Sequence, residues 1–215
     1  MIKLENVSYN YQRSPGVVNV NLTIEEGEFV FLIGPTGSGK TTILNLIYMS
    51  ILPDSGTVTV NRYRSDKIRR RQIPRLRREV GMIFQDYHLL GDRNLLENVA
   101  LTLHVLGYSR LEIAERVRDV LQAVGLEDKE RHYPDELSGG EQQRACIARA
   151  LVKEPSILLA DEPTGNLDPI TSFEFIKLLE EINQEGTTIL MASHNYGLIK
   201  GRGHRIVEIQ EGRLR

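Results

Sequence analysis

Apolar and polar residues alternate strictly over positions 18–24 (Val-Asn-Val-Asn-Leu-Thr-Ile), which predicts a strand with one buried face. Positions 29–33 (Phe-Val-Phe-Leu-Ile) are apolar without interruption, as in a strand covered on both faces. The stretches 80–84, 156–160, 187–192 and 205–209 read as further strands of this kind, and 57–60 as another strand. A helical stretch at 42–51 ends at Pro53-Asp54-Ser55-Gly56. Leu111, Ala114, Val117, Leu121 and Val124 recur at helical spacing, with Gly125 where a helix would stop. Positions 86–135 therefore read as a helical lobe inserted in an α/β core. A helix over 138–153 stops before Pro155, and Phe173, Ile176, Leu179 and Ile182 mark one more.

The 215 residues suit one domain, 1–215, with that lobe inside it. With 40% hydrophobic and 26% charged residues, the composition is that of an ordinary globular chain. No apolar run approaches the roughly 18 residues of a membrane span, and the first six residues lack the apolar stretch of a signal peptide. One cysteine, Cys146, excludes an internal disulfide and a CxxC metal site, and favours a reducing cytosolic setting. It reads as a small core residue. The net charge of −2 hides an asymmetry: positions 62–78 hold nine basic residues and one acid, net +8. Such a run is either a solvated face or a contact with an anion such as lipid or nucleic acid.

The chemistry is concentrated after the 29–33 strand. Gly34-Pro35-Thr36-Gly37-Ser38-Gly39-Lys40-Thr41 fits GxxxxGK[ST], followed by Thr42 and a helix. Glycines let the backbone aim several N–H groups at one anion, and the helix N-terminus adds positive potential. Lys40 supplies a full charge to the β- and γ-phosphates, and the Thr41 hydroxyl is placed to ligate Mg²⁺. A second strand, 157–160, delivers Asp161 and Glu162 at its C-terminal end, where open parallel sheets bind ligands. Asp161 would hold Mg²⁺ through water, and Glu162 would orient or deprotonate an attacking water. Leu137-Ser138-Gly139-Gly140-Glu141 opens a helix and offers a second set of backbone donors for an anion. One chain has no evident need for two such cradles; a head-to-tail pair of chains does.

With these motifs in this order, followed by Asn166-Leu167-Asp168 and His194, the chain resembles the ATP-binding cassette (ABC) ATPases along essentially its whole length. Its Glu141 stands where the commoner signature has Gln. The resemblance implies a P-loop NTPase fold of α/β class: a mainly parallel core sheet, an antiparallel β subdomain and an inserted helical lobe. It also implies that ATP and Mg²⁺ bind here, with Mg²⁺ held by Thr41, Gln85 and Asp161. Tyr11 would stack on adenine, with Tyr9 as the rival. Gln85 would sense the γ-phosphate, and His194 would hold the attacking water. Residues 137–141 would clasp the ATP of a second copy, and Asp168 would bridge the two chains.

Positions 72–100 are most similar to the cell-division branch of that family, the FtsE-type ATPases. The block 159–168 is shared with lipoprotein-release and macrolide-efflux ATPases, which remain the alternative. The cell-division resemblance implies an FtsX-like integral membrane subunit, a peripheral place on the cytoplasmic face of the membrane, and no nucleic acid. Tyr87, His88, Leu89 and Leu90 would then form the coupling surface for that subunit, although Leu89 and Leu90 equally suit the lobe's own core. The departures, Pro169 after Asp168 and Ser193 before His194, leave the chemistry unchanged.

Overall fold

The computed structural model describes residues 1–12, 14–165 and 167–215. The expected position Asn166 therefore lies outside the described residues. Two sheets organise the chain. The first is antiparallel, in the order β2-β1-β4-β5, built from β1 (Ile2–Tyr11), β2 (Ser14–Ile24), β4 (Ser55–Val60) and β5 (Tyr63–Arg64). The second has six strands in the order β10-β9-β3-β8-β7-β6. Its parallel members are β3 (Phe29–Ile33), β6 (Val80–Ile83), β7 (Ile157–Asp161), β8 (Thr188–Ser193) and β9 (Arg205–Gln210). Only β10 (Arg213–Leu214) runs antiparallel, hairpinned onto β9.

The unbroken apolar strands are covered on both faces, as their pattern requires. Val30, Leu32, Leu159 and Leu190 face the antiparallel sheet across α1 (Lys40–Ile47). Phe29, Phe31, Leu158, Ile189 and Met191 face the other way, into a core shared with four helices. Those are α3 (Leu95–Leu106), α4 (Arg110–Ala123), α5 (Gly139–Leu151) and α6 (Pro169–Gln184). Two short helices complete the fold: α2 (Ile73–Glu79), within the basic segment, and α7 (Tyr196–Ile199).

The helices begin where polar caps stand. Asn94, Ser109 and Ser138 each accept a bond from the backbone N–H three residues on, and the Glu there bonds back to the cap's own N–H. Asp168 caps α6 by accepting from the N–H groups of Ile170 and Thr171. Four expectations need correction. β9 is not covered on both faces, since Arg205, Ile206 and Glu208 are exposed. In α4, Leu111 and Ala114 are exposed, and the buried stripe runs through Ile113, Val117 and Leu121. The first helix stops at Ile47, short of position 51, because Met49 takes a left-handed backbone (φ 51°). Phe173 lies 56% exposed on α6 rather than in its buried stripe, which runs through Phe175, Ile176, Leu179 and Ile182. The Arg202 guanidinium covers the Phe173 ring instead, 4.6 Å from its centroid.

Candidate active site: a phosphate cradle at the strand ends

Parallel strands all point their C-terminal ends the same way, so the residues just beyond β3, β7 and β8 converge. After β3, the chain loops through Gly34 to Gly39 before α1 begins at Lys40. Gly37 and Gly39 take positive φ angles of 80° and 110°, which favour glycine. Gly34 is required for space: a Cβ there would lie 2.2 Å from the Ile209 carbonyl oxygen of β9. The C-terminal hairpin thus backs the loop, and the Gly212 N–H also donates to the Ser38 carbonyl. These supports, and Gly16, which lines the cleft beside Tyr11, were not legible as site residues in the sequence.

Lys40 opens α1 almost fully buried. Its ammonium donates to the carbonyls of Gly34 (2.7 Å) and Pro35 (2.9 Å) and lies 3.0 Å from Glu162 Oε1. The next residue, Thr41, donates from its hydroxyl to Asp161 Oδ1 at 3.2 Å. Glu162 follows β7 with a left-handed backbone (φ 46°), and its Oε2 lies 2.6 Å from His194 Nδ1. Its neighbour Ser193 ends β8. The chain of contacts Lys40–Glu162–His194 therefore joins three strand ends.

The two carboxylates differ. Burial pushes the Asp161 pKa up, partly offset by the Thr41 hydroxyl. Burial also raises that of Glu162, but bonds from Lys40 and His194 outweigh it and hold the group below the usual range. Glu162 is thus ionised, and paired, at neutral pH.

Lys40, Thr41, Glu162 and His194 line a cleft of ≈ 440 Å³ together with Tyr11, Gly16, Thr36, Gly37, Gly39, Thr42 and Gln85, with Asp161 buried behind Thr41. The Tyr11 hydroxyl lies 3.3 Å from Thr42 Oγ1 and its ring is 43% exposed. Tyr9 packs edge-on against it, 5.0 Å between centroids, and turns to the core. The donor set fits a magnesium nucleotide. Ser38 Oγ is buried with no hydrogen-bond partner, and Thr41 with Asp161 sets a hydroxyl beside a carboxylate. No group of three or more His, Cys, Asp or Glu able to hold a metal occurs among the described residues. Mg²⁺ would thus draw its other ligands from phosphates and water, as it does where substrate phosphates share its shell.

The signature residues do not join this cleft. Leu137 is buried, Ser138 caps α5, and Gly139, Gly140 and Glu141 form its first turn. Glu141 accepts from the Ser138 hydroxyl (2.7 Å) and N–H (2.8 Å), which with Lys129 nearby lower its pKa to about 2. Asp168 also lies outside the cleft.

The expected coupling residues divide. Tyr87 and Leu89 pack against the lobe's core, and Leu90 is exposed while its backbone is bonded to Asn98. Only His88 lines a neighbouring groove of ≈ 470 Å³, with Tyr48, Met82, Phe84, Thr102, Arg149, Ala150 and Lys153. Arg149 of α5 donates to the carbonyls of both Tyr87 and His88, and Cys146 Sγ lies 3.2 Å from the former. The Tyr87 hydroxyl reaches the signature, within 3.3 Å of where a Gly139 Cβ would stand. Sequence spacing carried no sign of this clamp.

Comparison with known proteins shows the family. Residues 17–165 match the family model described as ABC transporter. The chain is 48% identical to the cell division ATP-binding protein FtsE of Mycobacterium tuberculosis, over 100% of this chain and 94% of the relative. Among solved structures, a dimeric bacterial ABC transporter cassette superposes with a TM-score of 0.89 at 38% identity, covering 100% of this chain and 97% of that one. A dimeric post-hydrolysis cassette bound to ADP and Pi gives a TM-score of 0.89 at 36% identity, with the same coverage.

Proposed function

Because the chain belongs to the ABC transporter family, and is an ATP-binding ATPase subunit of it, we propose that it powers a membrane complex acting in cell division through an FtsX-like integral subunit. The observation that carries the reading is the convergence of Lys40, Thr41 and the Glu162–His194 pair in one cleft, with Asp161 bonded to Thr41 behind it. The FtsE relative supports the division role.

In this reading, Tyr11 stacks on adenine and the 34–42 loop wraps the phosphates. Lys40 leaves Glu162 for the β- and γ-phosphates, freeing the carboxylate to orient a water and accept its proton. His194 holds Glu162 and the γ-phosphate in register, and Gln85 reports the γ-phosphate. Bound Mg²⁺ would supply charge stabilisation at the phosphate oxygens, held by Thr41, Asp161 and Gln85. Ser138 with Gly139 and Gly140 completes the site on a second copy, and Asp168 bridges the pair. The dimeric cassette structures support this closure, as does the signature's place outside its own chain's cleft. The membrane subunit seats in the groove beside His88. The complex lies on the cytoplasmic face, with the basic segment 62–78 turned to anionic lipid.

The test is Glu162→Gln. It keeps the shape and removes the base, so turnover falls by about 10²–10⁴ while ATP binding persists and closed dimers accumulate in size-exclusion chromatography. Wild-type turnover by this variant would refute the role of Glu162. Co-purification with a lipoprotein- or drug-export subunit in place of a division partner would refute the division role.

A further inference from the structure

The basic segment is not uniform in the fold. Arg62 pairs with Glu79 and lies over the Tyr63 ring, and Arg64 pairs with Asp66. Arg77 donates to the carbonyls of Tyr48 and Met49 and stacks over the Tyr48 ring. The other six cations of the segment, Lys67, Arg69, Arg70, Arg71, Arg75 and Arg78, pair with no carboxylate among the described residues, and three of them gather. Arg69, Arg71 and Arg75 are exposed. These three line one concavity of ≈ 420 Å³, with Gln72 as its other lining residue. Three guanidinium groups gathered without a counter-charge repel one another. No carboxylate among the described residues offsets this, whereas an anion in the concavity would.

The concavity is also held in place. Leu76 is fully buried and roots α2 in the core, and Pro74 in the first turn restricts its backbone. Gln72 Oε1 accepts the Arg69 N–H and sets the entry turn. The guanidinium fork suits phosphate oxygens, which accept two parallel N–H bonds from one arginine. The far end of α2 adjoins the groove beside His88. Lys153 donates to the carbonyls of Arg77 and Val80, and Lys153 and Tyr48 are both groove residues. A membrane subunit seated in that groove would therefore bring the arginines beside the bilayer.

We propose that Arg69, Arg71 and Arg75, with Gln72, form a binding site for the phosphate of an anionic phospholipid headgroup. The assignment of the phosphate to lipid rests on the groove's reading as the seat of a membrane subunit. The site would hold the ATPase flat against the bilayer and align the groove with its partner.

Flotation of the full chain with vesicles tests it. Wild-type protein should float with phosphatidylcholine vesicles containing phosphatidylglycerol and not with phosphatidylcholine alone, and added salt should weaken the association. In R69Q/R71Q/R75Q the affinity should fall about 100-fold, since each cation near an anionic surface contributes roughly fivefold. Unchanged ATP affinity in the variant shows that it is folded. Flotation of the variant equal to wild type would overturn the site. So would binding of inorganic phosphate or duplex RNA through these arginines without any preference for phosphatidylglycerol. Assembly with a membrane subunit is measured separately. If that assembly occurs but phosphatidylglycerol has no effect, the headgroup site is wrong and the groove's reading stands. If phosphatidylglycerol binds and no subunit assembles, the groove's reading fails.

Discussion

Gly34 has no room for a side chain, and the reason lies far away in the sequence. A Cβ would collide with the Ile209 carbonyl, a backbone atom fixed in the six-stranded sheet. Gly34→Ala should therefore displace the loop, lower ATP affinity at least tenfold in calorimetry, and lower the melting temperature. Lys40→Ala should lose ATP binding outright, since it removes the buried ammonium placed at the phosphates; unchanged affinity would exclude that role. At Ser138, substitution by Ala removes the cap of α5 and should cost about 1 kcal/mol in denaturant unfolding. The same turn sets a pH dependence. Glu141 titrates near 4.5 when unfolded and at about 2 when folded. Its stabilisation is thus fully present above about pH 4.5 and is lost as pH falls towards 2. Glu141→Gln should flatten the acid limb of the stability profile in that window, as measured by thermal unfolding. At this scale the sequence was informative: the phosphate-loop pattern, the strand-end acids and His194 were recognisable as types at fixed spacings. The support from Ile209 and Gly212 was not, because it is a long-range approach between backbones.

The strands and helices are where local pattern translated best. Unbroken apolar runs became strands buried on both faces, and the helix expected from Ser138 opens there with that residue as its cap. The pattern missed β1 and α2. β1 interleaves charged and polar residues with its buried Ile2, Leu4 and Val7, and it pairs through irregular register with β2. α2 is about two basic turns with one buried residue, Leu76, so it has no apolar face to read. Between elements, the clamp of Arg149 on the backbone of 87–88 ties the segment after Gln85 to the signature helix. Arg149→Ala should leave ATP affinity within about twofold of wild type. It should, however, diminish the stimulation of turnover by a membrane subunit reconstituted in vesicles. Full stimulation in that variant would show that the clamp transmits nothing.

For the molecule as a whole, the separation of signature from cleft has a consequence for assembly. Ser138→Arg places a bulky cation on the helix start that would meet a second copy. It should abolish ATP-dependent dimers in analytical ultracentrifugation while the monomer still binds ATP. Loss of binding by the monomer would instead put the signature in its own chain's site. The sequence alone determined the class of fold, the nucleotide chemistry and the charge imbalance, because these reside in residue types at short spacing. The tertiary structure decided the rest. It turned Tyr9 inward and Tyr11 to the cleft, left only His88 of the four expected coupling residues on the groove, and separated paired cations from the gathered arginines. Each of these depends on which distant segments share a surface, and spacing along a chain does not encode that.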